Sequence, residues 1–273
     1  MRPWTDDRVW DAVDAWRWFP PNSARKVRER FEIAVTPGSY ALTYAYGFHA
    51  PDGPGADAAL QELRREVESL GGTGVRVQIT PRSVPRGFPR RLAREGYRKI
   101  EETEVLAWEL FDERDRPRIP IFRPAGDVDV REVRSDAEFD AFLGLSPPIF
   151  GDPPPPEETR TGFRERFRRQ IAAVGHSDRF VAWKGSEPIG RAGMDLEGDV
   201  ARFWGTGVLP PFRGRGVYGV LVKARCDEAV RRGARLALVS ARTGTSGPIL
   251  KHHGFRPVGS LELYEVRWIP IES

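Results

Sequence analysis

Val9, Trp10, Val13 and Trp16 recur at helical spacing, with Thr5 or Asp6 available as N-cap and Pro20-Pro21 as a stop. The first element expected is therefore a short amphipathic helix over 7–19, its tryptophans reading as core rather than as a stacking platform. The period then shortens to two. Stretches 31–35 and 39–46 alternate around Thr36-Pro37-Gly38, which is hairpin chemistry. A loop over 49–57 rich in Pro, Gly and Asp leads to a helix with Leu60, Leu63, Val67 and Leu70 on one face and Gly71-Gly72 at its end. A strand over 75–79, a short helix entered near Pro89 and a strand over 102–110 complete this half.

The same order recurs further on: a strand over 200–208, a loop, a helix over 217–232 closed by Gly233, a strand over 236–240, a short helix entered at Pro248, and a strand over 261–266. Leu92-x-x-x-Gly96-Tyr97 and Leu250-x-x-x-Gly254-Phe255 are the clearest matched pieces of this internal repeat, each a helix closed by glycine with an aromatic residue returning to the core. Between the repeats, 111–127 is charged and interrupted by proline, as a linker should be. Expected boundaries are a first domain over 1–118, a linker over 119–126 and a second domain over 127–273. The alternative for the linker is an extended crossover strand, which Ile119 and Ile121 permit. After it come a strand over 129–133, a helix over 136–143, then Pro147-Pro148 and the stiff run Pro153–Pro156, a rigid spacer or a ligand for an aromatic groove. A helix with Phe163, Phe167 and Ile171 one turn apart follows. Its Arg160, Arg164, Arg166, Arg168 and Arg169 form either a solvated face or a surface that steers an acidic acceptor. Strands over 180–183 and 189–195 pair as a hairpin and lead to the strand over 200–208.

That last strand runs into Pro210-Pro211, which stop any ladder, and then into Arg213-Gly214-Arg215-Gly216. Two glycines let the backbone turn sharply against a ligand, the following helix start offers unpaired N–H groups to an anion, and two arginines add positive charge. The parts compose a pyrophosphate cradle; alone, they equally compose a tight strand-to-helix turn.

Composition narrows the field. The net charge of +4 comes from arginines nearly balanced by acids rather than from one basic tract, so nucleic acid is not the first reading. Cys226 is the single cysteine, which excludes an internal disulfide and a thiolate zinc cluster, and no metal site is expected. No apolar run is long enough to span a bilayer and no signal-peptide profile is present, so a cytoplasmic location is expected.

Val208-x-Pro210-x-x-Arg213-Gly214-x-Gly216-Val217 resembles the coenzyme A loop of the GCN5-related N-acetyltransferases, whose signature is Q/R-x-x-G-x-G/A. Arg213 and Gly216 match it, whereas Tyr218 stands where the family has Gly or Ala and Gly219 comes one residue late. The resemblance implies an α/β fold of two tandem acyltransferase-like domains, each a mixed central sheet flanked by helices. It also implies acetyl-CoA as co-substrate and transfer of acetyl to an amine of a small molecule or peptide. The coenzyme contacts it implies are Val208, Leu209, Arg213, Gly214, Arg215, Gly216, Val217, Tyr218, Thr243 and Ser246, with Gly205 and Gly207 permitting an irregular strand. Leu250 falls where the family's proton-donating Tyr stands, and Arg202 where one branch has a Glu base. Ser246 and Asp195 are then the candidate acid and base, with Asp199 as a further base and His252 and His253 as helix-end residues or catalysts. The first repeat has no arginine in its loop and is expected to have lost coenzyme binding. The alternatives are a catalytically silent coenzyme A binder and, third, an Arg-rich protein that interacts with nucleic acid.

Overall fold

The computed structural model describes residues 4–17, 19, 23–36, 39–49, 54–83, 87–151, 154 and 157–268. The Pro20-Pro21 stop, the Pro37-Gly38 turn, positions 50–53 of the first-repeat loop and most of the 153–156 run lie outside them. In chain order the elements are α1 (Asp6–Ala15), β1 (Ala24–Val27), β2 (Glu32–Thr36), β3 (Ser39–Tyr46), α2 (Pro54–Ser69), β4 (Gly74–Ile79), α3 (Phe88–Arg94) and β5 (Arg98–Glu109). They continue with β6 (Val128–Glu132), α4 (Asp136–Gly144), α5 (Ser146–Phe150), α6 (Glu157–Val174), β7 (Arg179–Lys184), β8 (Glu187–Glu197) and β9 (Val200–Val208). The last are α7 (Val217–Arg231), β10 (Leu236–Arg242), α8 (Ser246–His252) and β11 (Arg256–Arg267). None of the described helices is long and apolar enough to cross a membrane.

The chain forms two compact units. The first gathers Thr5–Leu106, Ser240–Ile249 and the residues from Pro257 on; the second gathers Trp4, Ala107–Val239 and Leu250–Arg256. These are not the halves 1–118 and 127–273. The reason is β11, which pairs antiparallel with β4 from Glu262↔Ile79 to Arg267↔Gly74 and stands between β4 and β5 in the first unit's strand order β1-β2-β3-β4-β11-β5. Alternation along β11 puts Tyr264 and Val266 into the same core as Val75, Val77, Leu63, Phe88 and Leu92. On the other face, Glu265 accepts hydrogen bonds from its cross-strand partner Arg76 at 3.4 Å and from Arg98 at 2.6 Å. At the near end of this unit Thr5 caps α1 through its side chain, and Val9, Trp10 and Val13 are buried.

In the second unit the strand order is β10-β9-β8-β7-β6. The β6 to β9 run is an antiparallel meander, and β10 joins it parallel to β9, the arrangement a strand-helix-strand crossover through α7 requires. Helices cover both faces. A Cβ at Gly190 would touch Leu221 and Val217 of α7, whereas the next residue, Arg191, lies under Phe142 of α4 with its guanidinium 3.7 Å from that ring. Phe139, Phe142, Phe167, Val133 and Val181 make the core beneath α4 and α6. The start of α4 is fixed by a capping box in which Ser135 and Glu138 exchange hydrogen bonds with each other's backbone.

Candidate functional site

The antiparallel register of β8 and β9 runs regularly from Glu197↔Val200 to Gly193↔Trp204 and then slips, resuming at Arg191↔Gly207 and Gly190↔Val208. Two residues of β9, Gly205 and Thr206, therefore face one of β8. Gly205 takes φ +57, which makes this a bulge of the glycine type. On the opposite edge the parallel ladder with β10 runs from Leu236↔Val200 to Val239↔Phe203, so Trp204 to Val208 lie beyond it. The N–H of Leu209 donates to the carbonyl of Ile189 at 2.9 Å. Antiparallel alternation then turns the N–H and C=O of the preceding residue, Val208, away from β8 toward that edge. Val208 thus offers its main-chain N–H to an extended ligand. Leu209 does not, because its N–H is held by Ile189 and its C=O accepts from Phe212 at 2.9 Å; the sequence expectation for Leu209 is corrected accordingly.

Pro210–Phe212 form one 3-10 turn, and Arg213 follows in extended conformation. Its Nε donates to the Val208 carbonyl at 3.0 Å and ties the loop to the strand end. Gly214 and Gly216 both adopt left-handed backbone, φ +73 and +82, on either side of Arg215, whose guanidinium lies 5.8 Å from the Phe212 ring. Alternation of this kind turns successive N–H groups to one side. Gly216 is the N-cap of α7 and has no capping side chain. The amides of Val217, Tyr218 and Gly219 open the helix, and within it the first bond runs from the N–H of Val220 to the carbonyl of Gly216 at 3.2 Å. The result is a concave set of donors at the positive end of a helix dipole, flanked by two arginines, and it fits a diphosphate.

Open space lies around Gly214, but Gly216 and Gly219 are crowded by the preceding linker. A Cβ on Gly216 would come within 3.0 Å of the carbonyl oxygen of Arg123 and 3.4 Å of that of Pro124. One on Gly219 would come within 2.6 Å of Cδ1 of Phe122 and 2.8 Å of its Cβ. The Phe122 ring also meets the imidazole of His253, centroid to centroid 4.2 Å.

The remaining sequence candidates fall elsewhere. Asp195 pairs with Arg202 across β8 and β9, six residues before Val208 along β9, or about 20 Å at strand rise. Burial pushes its carboxyl above the ordinary range, against the pull of the Trp204 indole beside it. Asp195, the candidate base, thus lies on the strand adjacent to β9, and Asp199, the further candidate, on the β8–β9 turn. Arg202 is ion-paired with Glu197. Leu250 is buried in the core. Thr243 and Ser246 belong to the first unit. There Ser246 accepts the Arg242 N–H at 3.1 Å as a turn residue, and Thr243 lines a cavity of about 820 Å³ with Arg76, Arg98, Arg242 and Glu265. On α6, Arg164 and Arg168 are bound to Asp140 and Asp136 of α4, a packing role for two of the five arginines. Cys226 is buried, its thiol pushed up to about 12 by burial.

One residue that positions the site escapes sequence reasoning. Arg225 is buried in α7, donating from Nη1 to the carbonyl of Gly193 at 3.1 Å and from Nε to that of Leu221 at 3.2 Å, with its guanidinium 4.3 Å over Phe203. It clamps α7 to β8 next to the bulge. The available signal is its place on the core stripe of Leu221, Val222, Cys226 and Ala229.

Residues 143–254 match the model of the Acetyltransferase (GNAT) family. No curated protein matches the chain significantly. Among solved structures, a GCN5-related N-acetyltransferase from Sphaerobacter thermophilus is similar at TM-score 0.66 and 18% identity, covering 96% of this chain and 86% of that one. Another from Kribbella flavida gives TM-score 0.64 and 16% identity over 89% of each chain. A tandem GNAT protein from the clavulanic acid biosynthesis pathway gives TM-score 0.59 and 15% identity, covering 96% of this chain and 88% of that one. The fold is thus that of the GNAT acetyltransferases, a mixed α/β architecture.

Proposed function

We propose that this chain is an acetyl-CoA-dependent N-acetyltransferase that transfers acetyl to an amine of a small molecule or peptide. The observation that carries the reading is one continuous segment inside the family match: bulged β9 with the main chain of Val208 facing an open edge, then two left-handed glycines leading into the uncapped start of α7. Gly214, Arg215, Gly216, Val217 and Tyr218 supply backbone donors to the pyrophosphate, with Arg213 and Arg215 as its cations. The N–H of Val208 pairs with an amide of the extended arm. The neutral acceptor amine attacks the thioester carbonyl, a C–N bond forms, the C–S bond breaks, and the amine's proton reaches the thiolate through water. A thiol pKa of about 8.5 makes that thiolate a tolerable leaving group without a dedicated acid.

The first repeat, in this reading, binds no coenzyme. In the equivalent strand-loop-helix segment, β3 runs parallel to β4 across α2, and the first turn of α2 already carries the carboxylate of Asp57, 3.3 Å from Arg91. An internal anion stands where a phosphate would need to bind. A second reading, a silent coenzyme binder, is favoured by the buried Leu250 and the ion-paired Arg202 at two positions where the resembled family has catalytic side chains.

The test is calorimetric titration with coenzyme A of wild type and Gly214→Asp. Gly214 faces open space, and aspartate is among the residues that best tolerate left-handed backbone, so the variant adds a negative charge without a clash. Binding at one site per chain in wild type and at least a tenfold loss in the variant is expected. Equal affinities refute the site, and a stoichiometry of two refutes the loss of binding in the first repeat. An amine-library acetylation screen separates the enzyme from the silent binder.

A further inference from the structure

We infer that Phe122, in the linker and outside the family match, is a positioning residue for the coenzyme loop. The inference rests on the coenzyme reading above. Its ground is that the linker touches both ends of the first turn of α7. Main-chain carbonyls of Arg123 and Pro124 lie against the N-cap Gly216, and Cβ, Cγ and Cδ1 of Phe122 lie against the third helical residue, Gly219, its ring also meeting His253.

The turn so braced is poor in intrinsic order. Three of the six residues from Gly214 to Gly219 are glycine, two of them left-handed, and Gly216 has no side chain to cap the helix. Each glycine loses more freedom on ordering than any other residue. A wall fixed against both ends of the turn orders it before the ligand arrives, so binding need not supply that ordering. This also accounts for the departure from the family pattern. The small residue comes one position late, at Gly219 rather than at 218, because Gly219 faces the linker ring. At 2.6 to 2.8 Å from three atoms of Phe122, even a methyl group there has no room.

Coenzyme A titration and, once an acceptor is in hand, acetyl-CoA kinetics test the role. Phe122→Ala is expected to weaken coenzyme A binding about tenfold and to raise KM for acetyl-CoA with kcat unchanged, and Phe122→Leu, which restores bulk, to recover most of the affinity. Gly219→Ala should reproduce the loss by expelling the ring. In the Phe122→Ala background the same Gly219→Ala should cost nothing further, since the space is then vacant. Wild-type affinity in Phe122→Ala overturns the inference, as does an equal cost of Gly219→Ala in both backgrounds. Should Phe122→Ala not fold, Gly219→Ala and Phe122→Leu decide, and wild-type affinity in Gly219→Ala overturns it. Absence of coenzyme A binding in wild type overturns the coenzyme reading itself, a result distinct from binding that ignores Phe122.

Discussion

Gly193, Gly207 and Gly219 are spaced along different elements, yet each is glycine because another group occupies the volume of its side chain: the Trp204 ring, Ile149 of α5 and Phe122 respectively. Gly205 and Gly214 are glycine for their backbone instead. The sequence offers no means of separating these two kinds: an irregular strand was expected at Gly205 and Gly207 alike, and the bulge falls at Gly205 whereas Gly207 lies against Ile149. Residue type alone makes Asp195 a candidate base, and its pairing opposite Arg202 across β8 and β9 is not readable from the sequence. Its raised pKa means that the fold favours the protonated carboxyl. That contribution is present below the unfolded value near 3.9 and is lost as pH rises through the folded value, leaving a costly buried charge at neutral pH. Asp195→Asn is therefore expected to raise the melting temperature at pH 7.5, with the advantage fading toward pH 4, and to leave coenzyme affinity intact. A lower melting temperature at both pH values would show that the carboxylate's partners outweigh its burial.

At the scale of elements, period-two and period-3.6 patterns were enough to find the hairpins, the meander and α7, because each has a buried face and a clear turn. Two elements had no such signal. Ala24–Val27, for which no element was expected, is an edge strand with largely exposed side chains, and Pro147-Pro148, where no helix was expected, sits in the first turn of α5, where proline is welcome. The attachment of α7 was also invisible, since a buried arginine contradicts the composition rule for a core stripe. Burial pulls the guanidinium of Arg225 down to about 10, so it stays charged at neutral pH and depends on the carbonyls of Gly193 and Leu221. Arg225→Ala removes the clamp and leaves both a cavity and a bare carbonyl, which should cost about 2–4 kcal/mol in denaturant unfolding. A loss below about 0.5 kcal/mol would mean that packing alone holds the helix.

For the molecule as a whole, the order of strands and helices was legible and the pairing of the last strand was not. Alternation along 261–266 announces a strand without saying which edge it joins, and the chain resolves the choice by placing β11 beside β4 rather than within its own repeat. Residues 1–118 expressed alone lack Tyr264 and Val266 from their core and keep an unpaired β4 edge, so they should be aggregation-prone and lack cooperative unfolding, whereas adding a peptide spanning 256–267 should restore a thermal transition. A cooperative transition in 1–118 by itself would show that β11 is dispensable. The same strand sets a timetable for synthesis. About 190 residues separate Ile79 from Arg267, and at roughly 5–20 residues per second the ribosome leaves the edge of β4 open for about ten to forty seconds. For that interval the earliest-made core lacks its last strand, and slower translation late in the message lengthens its exposure.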